Sequence, residues 1–438
     1  MTDQLPFADA EAEEGRSAAE QARAGIRLRL GSLLGRDDPV LGALVAATSL
    51  TTIARGVFLT ALVLYLTLVA GLRPEEIALS LTVAAVVGIG ASYLGGWLSD
   101  RTSARRLTVV AQLAEGVALM AYVFVDSLSL AIIVGCLTFF TQSIAQSARS
   151  AIIARGFVGP KRVRARAVLR TVTNVGIALG SGAAAVPIVI GTPEAYRIAV
   201  FAAGLLFFVS TFLLFRLPAS VDAERAGTAE SAAMTPVKGR SPWRDRRYLA
   251  FVGLSAIFGI QFPILDYAMP LWIAHNTEAP SVLISLLLIQ NCLFVTIFTV
   301  PLSRGTEDPL RAGRVFAIAG GLMAVACVVY ALAEGAPVWL AITVLVIGAL
   351  AHALAEVLSQ AAGWGMSFEL ADPHSVGEYQ GLVGMGWGVI TAIGPPILAF
   401  TALQFGLLGW IALGVMFAGS AFGVLLIGRS AARTWQPT

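Results

Sequence analysis

Asp266 and Glu356 are carboxylic acids set inside long apolar runs, and Arg55 and His352 are bases in the same kind of surroundings. An ionised side chain at bilayer depth costs at least ~2.5–3.5 kcal/mol on insertion scales, so each of these needs a partner, water or a proton. Desolvation favours the neutral form of a buried carboxyl group and a nearby arginine favours its charged form, the balance a proton carrier requires. Asp266 is the first candidate for a proton-carrying acid, Glu356 and His352 form the alternative site, and Arg55 is the charge that tunes whichever acts. The competing reading of Asp266 is a buried structural ion pair with Arg55. His352, Glu356 and Gln360 are spaced by four and share one helix face, which suits a proton relay or a packing hydrogen bond equally. Gln142, Gln146 and Arg149 make a second polar stripe, although Arg149 is close enough to the end of its run to snorkel to the surface. Pro263 and Pro270 bracket Asp266, and neither has an N–H, so the helix there should kink and leave the carbonyls of Gly259 and Asp266 free. Glu115 is a further buried acid with no evident partner.

The elements that carry these groups follow from composition. The chain has 438 residues, 57% of them apolar and 13% charged. Soluble proteins run nearer 45–50% and about 25%, so a bilayer has replaced water as solvent. From residue 40 onward the sequence resolves into twelve apolar runs, continuous rather than alternating, which predicts transmembrane helices and excludes a barrel. The expected organisation is a cytoplasmic tail at 1–39, six spans over 40–216, a linker at 217–246, six more over 247–428, and a tail at 429–438. The tail reads either as a surface helix, from Ile26, Leu28 and Leu30 interleaved with Arg23, Arg27 and Arg29, or as a disordered segment. Acidic Glu11, Glu13 and Glu14 argue against a secretory leader. Of the 30 Lys and Arg, 26 fall on the segments assigned to the cytoplasm and two, Arg73 and Arg197, outside, which places both termini inside. Arginine outnumbers lysine 28 to 2, as in a high-GC bacterial genome, so the expected location is a bacterial inner membrane. Weak similarity between Ser80, Leu81 and Ser285, Leu286 fits two repeated halves.

Between the second and third runs stand Gly95, Gly96, Trp97, Leu98, Ser99, Asp100, Arg101, Thr102, Ser103, Ala104, Arg105 and Arg106. This resembles the signature loop of the major facilitator superfamily, with Ser103 in place of its glycine and Ala104 in place of its first arginine. A carboxylate at such a junction can pair with arginines and with the positive N-terminus of another helix. Gly176, Gly180, Ser181 and Gly182 resemble the antiporter motif of the twelve-helix drug/proton branch, with Ser181 for its proline and Ala184 and Ala185 for its last glycines. Cys136 occupies the position of that branch's span 4 arginine, and Arg304 falls near the place that Asp100 holds in the first half. Gly377, Glu378, Tyr379, Gln380 and Gly381, leading to Gly394, Pro395 and Pro396, are similar to span 11 of drug transporters.

The resemblance implies an all-α fold of twelve transmembrane helices in two pseudo-symmetric six-helix bundles, with spans 1, 4, 7 and 10 around a central cavity. On that frame Arg55, Gln142, Gln146, Arg149, Gln261, Asn291 and Gln360 are candidates to line the substrate cavity. Gly96, Asp100, Arg101, Arg105 and Arg106 become a conformational gate. The expected function is proton-coupled efflux of an amphipathic small molecule or drug by alternating access, with a proton-coupled importer of a small metabolite as the alternative. The expected partners are that substrate, protons and lipid, the expected state is a monomer, and no cofactor or nucleic acid is implied. A membrane enzyme is disfavoured because there is no His-Glu-x-x-His, and the three cysteines, Cys136, Cys292 and Cys327, are scattered through apolar runs. A sensor would need a signalling domain, which the linker is too short to be.

Overall fold

The computed structural model describes residues 38–218, 221–222 and 239–433. The surface helix considered for the N-terminal tail, most of the linker and the last five residues lie outside them. Among the described residues the chain is helical, without a strand.

The helices are α1 (Pro39–Leu68), α2 (Pro74–Arg101), α3 (Ala104–Phe124), α4 (Leu128–Gly156), α5 (Pro160–Ile190), α6 (Pro193–Leu214), α7 (Arg246–Asn276), α8 (Val282–Leu302), α9 (Pro309–Ala331), α10 (Val338–Glu369), α11 (Val376–Leu398) and α12 (Gln404–Ala432). Proline opens α1, α2, α5, α6 and α9, where its missing N–H would have no partner in any case. Side-chain caps finish several of these starts: Asp38 accepts from the amides of Val40 and Leu41 at 3.0 and 3.2 Å, and Asp308 accepts from that of Leu310 at 2.8 Å.

Helix runs continuously over Pro373–Ala432, 60 residues, which if straight would measure about 90 Å against a hydrocarbon core of about 30 Å. It doubles back instead. A π turn at Ala399–Leu403 is followed by Gly406 at φ 53°, a left-handed conformation that glycine adopts without strain. The eleven stretches long and apolar enough to cross a membrane therefore make twelve spans.

Two six-helix bundles result. In the first, α1 packs on α5 and α6, α4 on α2 and α3, and α3 on α6; in the second the same pairs recur with every label raised by six. The second bundle closes over one aromatic core in which Trp272, Trp410, Tyr330, Phe258 and Phe417 are fully buried. The bundles meet through α2 with α11 and α5 with α8, again equivalent pairs. A Cβ on Gly96 would run into the carbonyl of Gly377, so this glycine sets how closely α2 and α11 cross.

The hydrogen bonds and ion pairs that link the bundles lie in the half nearer the α2–α3 connection. Among the described residues none joins them in the opposite half. The protein is closed on the α2–α3 side.

Candidate functional site

α5 begins at Pro160, five residues before the apolar run that suggested a span from 165. The early start carries Arg162, Arg166 and Arg170 into the helix at four-residue spacing, a single stripe along one face. At 1.5 Å per residue Arg170 lies about 15 Å along the helix. The stripe faces the second bundle. Arg162 Nη1 contacts Glu369 Oε1 at 3.3 Å, and Arg170 Nη2 contacts Glu356 Oε1 at 3.6 Å. Arg166 donates to Ser150 Oγ of α4 at 2.7 Å. Sequence reasoning placed Arg166 and Arg170 with the cytoplasmic charges; the four-residue periodicity was the signal for them. Moving both into the membrane leaves the charge asymmetry large.

Glu356 is the focus of the predicted residues. Its carboxylate accepts from Gln360 Nε2 at 2.9 Å and from Asn291 Nδ2 of α8 at 3.0 Å, in addition to the Arg170 contact. Its side chain is 8% exposed. Three helices from both bundles thus converge on one acid.

His352 does not join it. Four residues along the same helix, its Nδ1 lies 3.2 Å from the Tyr330 hydroxyl in the second bundle's aromatic core, where the ring packs as a core residue. Asp266 is not paired with Arg55 either. It is exposed, within a π turn at Ile264–Ala268 where the two prolines predicted a break, and it makes no ion pair among the described residues.

Arg55 turns to Glu115, Nη2 to Oε1 at 2.6 Å, which rules out the competing reading of an Arg55–Asp266 pair and supplies the acid on α3 with its partner. With the Gln142 amide oxygen facing the guanidinium, it accepts from Arg55 Nη1 and Nη2 at 2.7 and 2.8 Å. Arg149 does not snorkel. It donates to Gln112 Oε1 of α3 at 2.7 Å, and Gln112 in turn donates to Ser210 Oγ of α6 at 2.8 Å. Gln146 is exposed and outside this network.

At the closed side, Asp100 accepts from the amides of Gly377 and Glu378 at 2.8 and 2.6 Å, the first turn of α11, and pairs with Arg155 of α4. A carboxylate on a helix N-terminus is held by the free amides and by the helix dipole together. Arg101 bypasses Asp100 and reaches Glu378 Oε1 at 2.9 Å, with its guanidinium 4.0 Å over the Trp97 ring. The Arg105 and Arg106 side chains form no ion pair among the described residues, and their backbones serve the turn, with Arg106 N–H donating to Ser103 Oγ at 3.0 Å.

Between α5 and the second bundle lies a cavity lined by Phe251, Phe262, Trp364 and Trp387, with Gln261 and Ser255 among its polar groups. Among the described residues Arg166 is its only charged lining residue, and no acid lines it. Gln261 donates to Ser359 Oγ at 3.0 Å, but its Oε1 is buried without a partner, as is Ser255 Oγ. The space is about 70 Å³, well below the ~300–1,000 Å³ of drug-sized ligand sites, so in this closed state it is too small for such a ligand.

The comparisons agree with this architecture. The family model described as Major Facilitator Superfamily matches residues 44–395. Among solved structures, the human organic anion transporter MFSD10 (TETRAN) superposes with a TM-score of 0.64 at 14% identity, covering 88% of this chain and 99% of its own. The proton:xylose symporter XylE, bound to 6-bromo-6-deoxy-D-glucose, superposes with a TM-score of 0.62 at 14% identity, covering 87% and 94%. No curated protein matches the chain in sequence. A twelve-span chain with two equivalent bundles, matched over most of its length by that family model, belongs to the Major Facilitator Superfamily and is a transporter rather than an enzyme.

Proposed function

We propose that the protein is a secondary active transporter working by alternating access, which exports an amphipathic small molecule in exchange for protons across a bacterial inner membrane, with both termini in the cytoplasm. The observation that carries this reading is the Arg170–Glu356 contact, because it joins the two bundles through an acid buried at depth. An ionised Glu356 holds Arg170 across the boundary. A protonated one gives up the charge–charge attraction, so protonation and bundle separation are linked through one residue. Glu356 is favoured over Asp266, which makes no ion pair among the described residues and feels the Arg170 charge only at longer range, and over His352, which is spent on packing.

The cavity adds the substrate's character. Aromatic walls suit a flat apolar body, and a lone arginine without a facing acid suits a negative group, so the substrate is an aromatic anion rather than a cationic drug. One neighbour in fold transports organic anions, which is consonant with this reading.

Charge movement distinguishes export from the importer alternative. Exchanging an outgoing monoanion for an incoming proton moves two charges in one direction, about 4.6 kcal/mol per 100 mV at ~2.3 kcal/mol per charge. Importing the anion together with one proton moves none. Proteoliposomes loaded with an aromatic carboxylate should therefore release it faster when a potassium diffusion potential makes the interior negative. Flux that follows the pH gradient but ignores the potential would favour the importer.

A further inference from the structure

The face of α5 opposite the arginine stripe has a different job. Lys161, Arg164, Val168, Val172, Val175 and Leu179 recur at three- and four-residue spacing and form one wall of a groove between the bundles. Ile297, Val300 and Pro301 of α8 form the other wall, and Ser49 and Ile53 of α1 also line it. Its volume is about 1120 Å³, far larger than the aromatic cavity. Val175, Leu179, Ile297 and Pro301 are exposed, so the groove opens sideways, where a membrane protein meets lipid.

Its chemistry is divided by depth. From Val168 to Leu179 is eleven residues, about 16 Å of apolar helix, close to the ~15 Å of one hydrocarbon leaflet. Beyond Val168, at the closed side, Lys161, Arg164 and Arg304 are exposed at the groove's mouth, with Glu307 the one acid among the described lining residues. Two of these cations belong to the first bundle and one to the second.

We propose that this groove binds an anionic phospholipid, with an acyl chain between α5 and α8 and the phosphate between Lys161, Arg164 and Arg304. A headgroup shared by cations of both bundles favours the state in which they are close, so the bound lipid stabilises the conformation closed on the α2–α3 side. Naming this the inner leaflet rests on the proposed orientation; the binding does not.

Native mass spectrometry of the full chain, with phosphatidylglycerol or phosphatidylcholine added at matched concentrations, tests it. Each cation near an anionic headgroup contributes about fivefold to affinity, so the wild type should retain phosphatidylglycerol about tenfold or more over phosphatidylcholine. The double variant Lys161→Gln/Arg304→Gln should lose that preference, while Arg429→Gln/Arg433→Gln, which removes two exposed charges from the end of α12, should keep it. Filling the groove with Val175→Trp/Ile297→Trp should expel lipid without altering charge. Thermal unfolding of each variant establishes that it is folded. Preference that survives Lys161→Gln/Arg304→Gln, or that falls equally with Arg429→Gln/Arg433→Gln, would overturn the proposal. So would a wild-type dimer broken by the tryptophan pair, which would make the occupant a second copy. Soluble glycerol phosphate should not displace the lipid, and displacement by it would mean the site reads phosphate alone.

Discussion

Arg170 of α5 and Glu356 of α10 meet at 3.6 Å across the boundary between the two bundles, and the acid is held from two further sides by Asn291 and Gln360. Glu356 cannot change its charge without changing what holds the bundles together. Around this point the first bundle supplies a pair of its own, the half-buried Arg55 with the buried Glu115, and the closed side supplies Asp100 seated on the first turn of α11.

Asp100→Asn should slow turnover about tenfold and leave substrate affinity almost unchanged. The side chain is 6% exposed and links α2 to α11 and to Arg155, so its loss weakens the closed state without touching the cavity. Losing a buried charged hydrogen bond costs about 1.5–3 kcal/mol. Steady-state transport and equilibrium binding on one preparation separate the two; a large loss of binding with normal turnover would contradict the assignment.

Glu115→Gln should be more damaging than Arg55→Gln. Removing the acid leaves Arg55 and Arg149 without a carboxylate between them, whereas removing Arg55 leaves Glu115 still within reach of Arg149. Breaking a fully buried pair costs about 3–5 kcal/mol, and the partial exposure of Arg55 lowers that here, so thermal unfolding in detergent should still show the larger drop for Glu115→Gln. The reverse order would mean that Arg149 does not compensate.

Arg166→Gln should raise the KM for aromatic carboxylates about tenfold or more, with a much smaller change in kcat. Neutral aromatic analogues should be unaffected. Competition assays with matched acid and amide compounds read the difference. Equal losses for both would remove the anionic character from the substrate reading.

The twelve spans, their division into halves and the break around Asp266 were legible because bilayer length, proline and small residues act locally. Pairing was not. Asp266 and Arg55 sit on helices that the sequence alone permits to touch, yet Arg55 faces Glu115 on α3, a contact that depends on how α1, α3 and α4 rotate about their axes. Arg166 and Arg170 were missed because a run of arginines reads as a cytoplasmic loop until the start of α5 at Pro160 is known. His352 shares a face with Glu356 in spacing, but a helix face in a crowded bundle is narrow enough that one residue meets Tyr330 and the other meets Arg170.

Whether Glu356 carries the coupling proton is decided by comparing Glu356→Gln with Asp266→Asn in proteoliposomes under two regimes, uphill transport driven by a pH gradient and substrate-for-substrate exchange without one. A glutamine keeps the side chain's shape and one acceptor oxygen, so one of the hydrogen bonds from Asn291 and Gln360 persists, but it binds no proton. Glu356→Gln should abolish uphill transport while exchange persists, and Asp266→Asn should retain both. Uphill transport at the normal rate in Glu356→Gln, with its loss in Asp266→Asn, would contradict the assignment to Glu356.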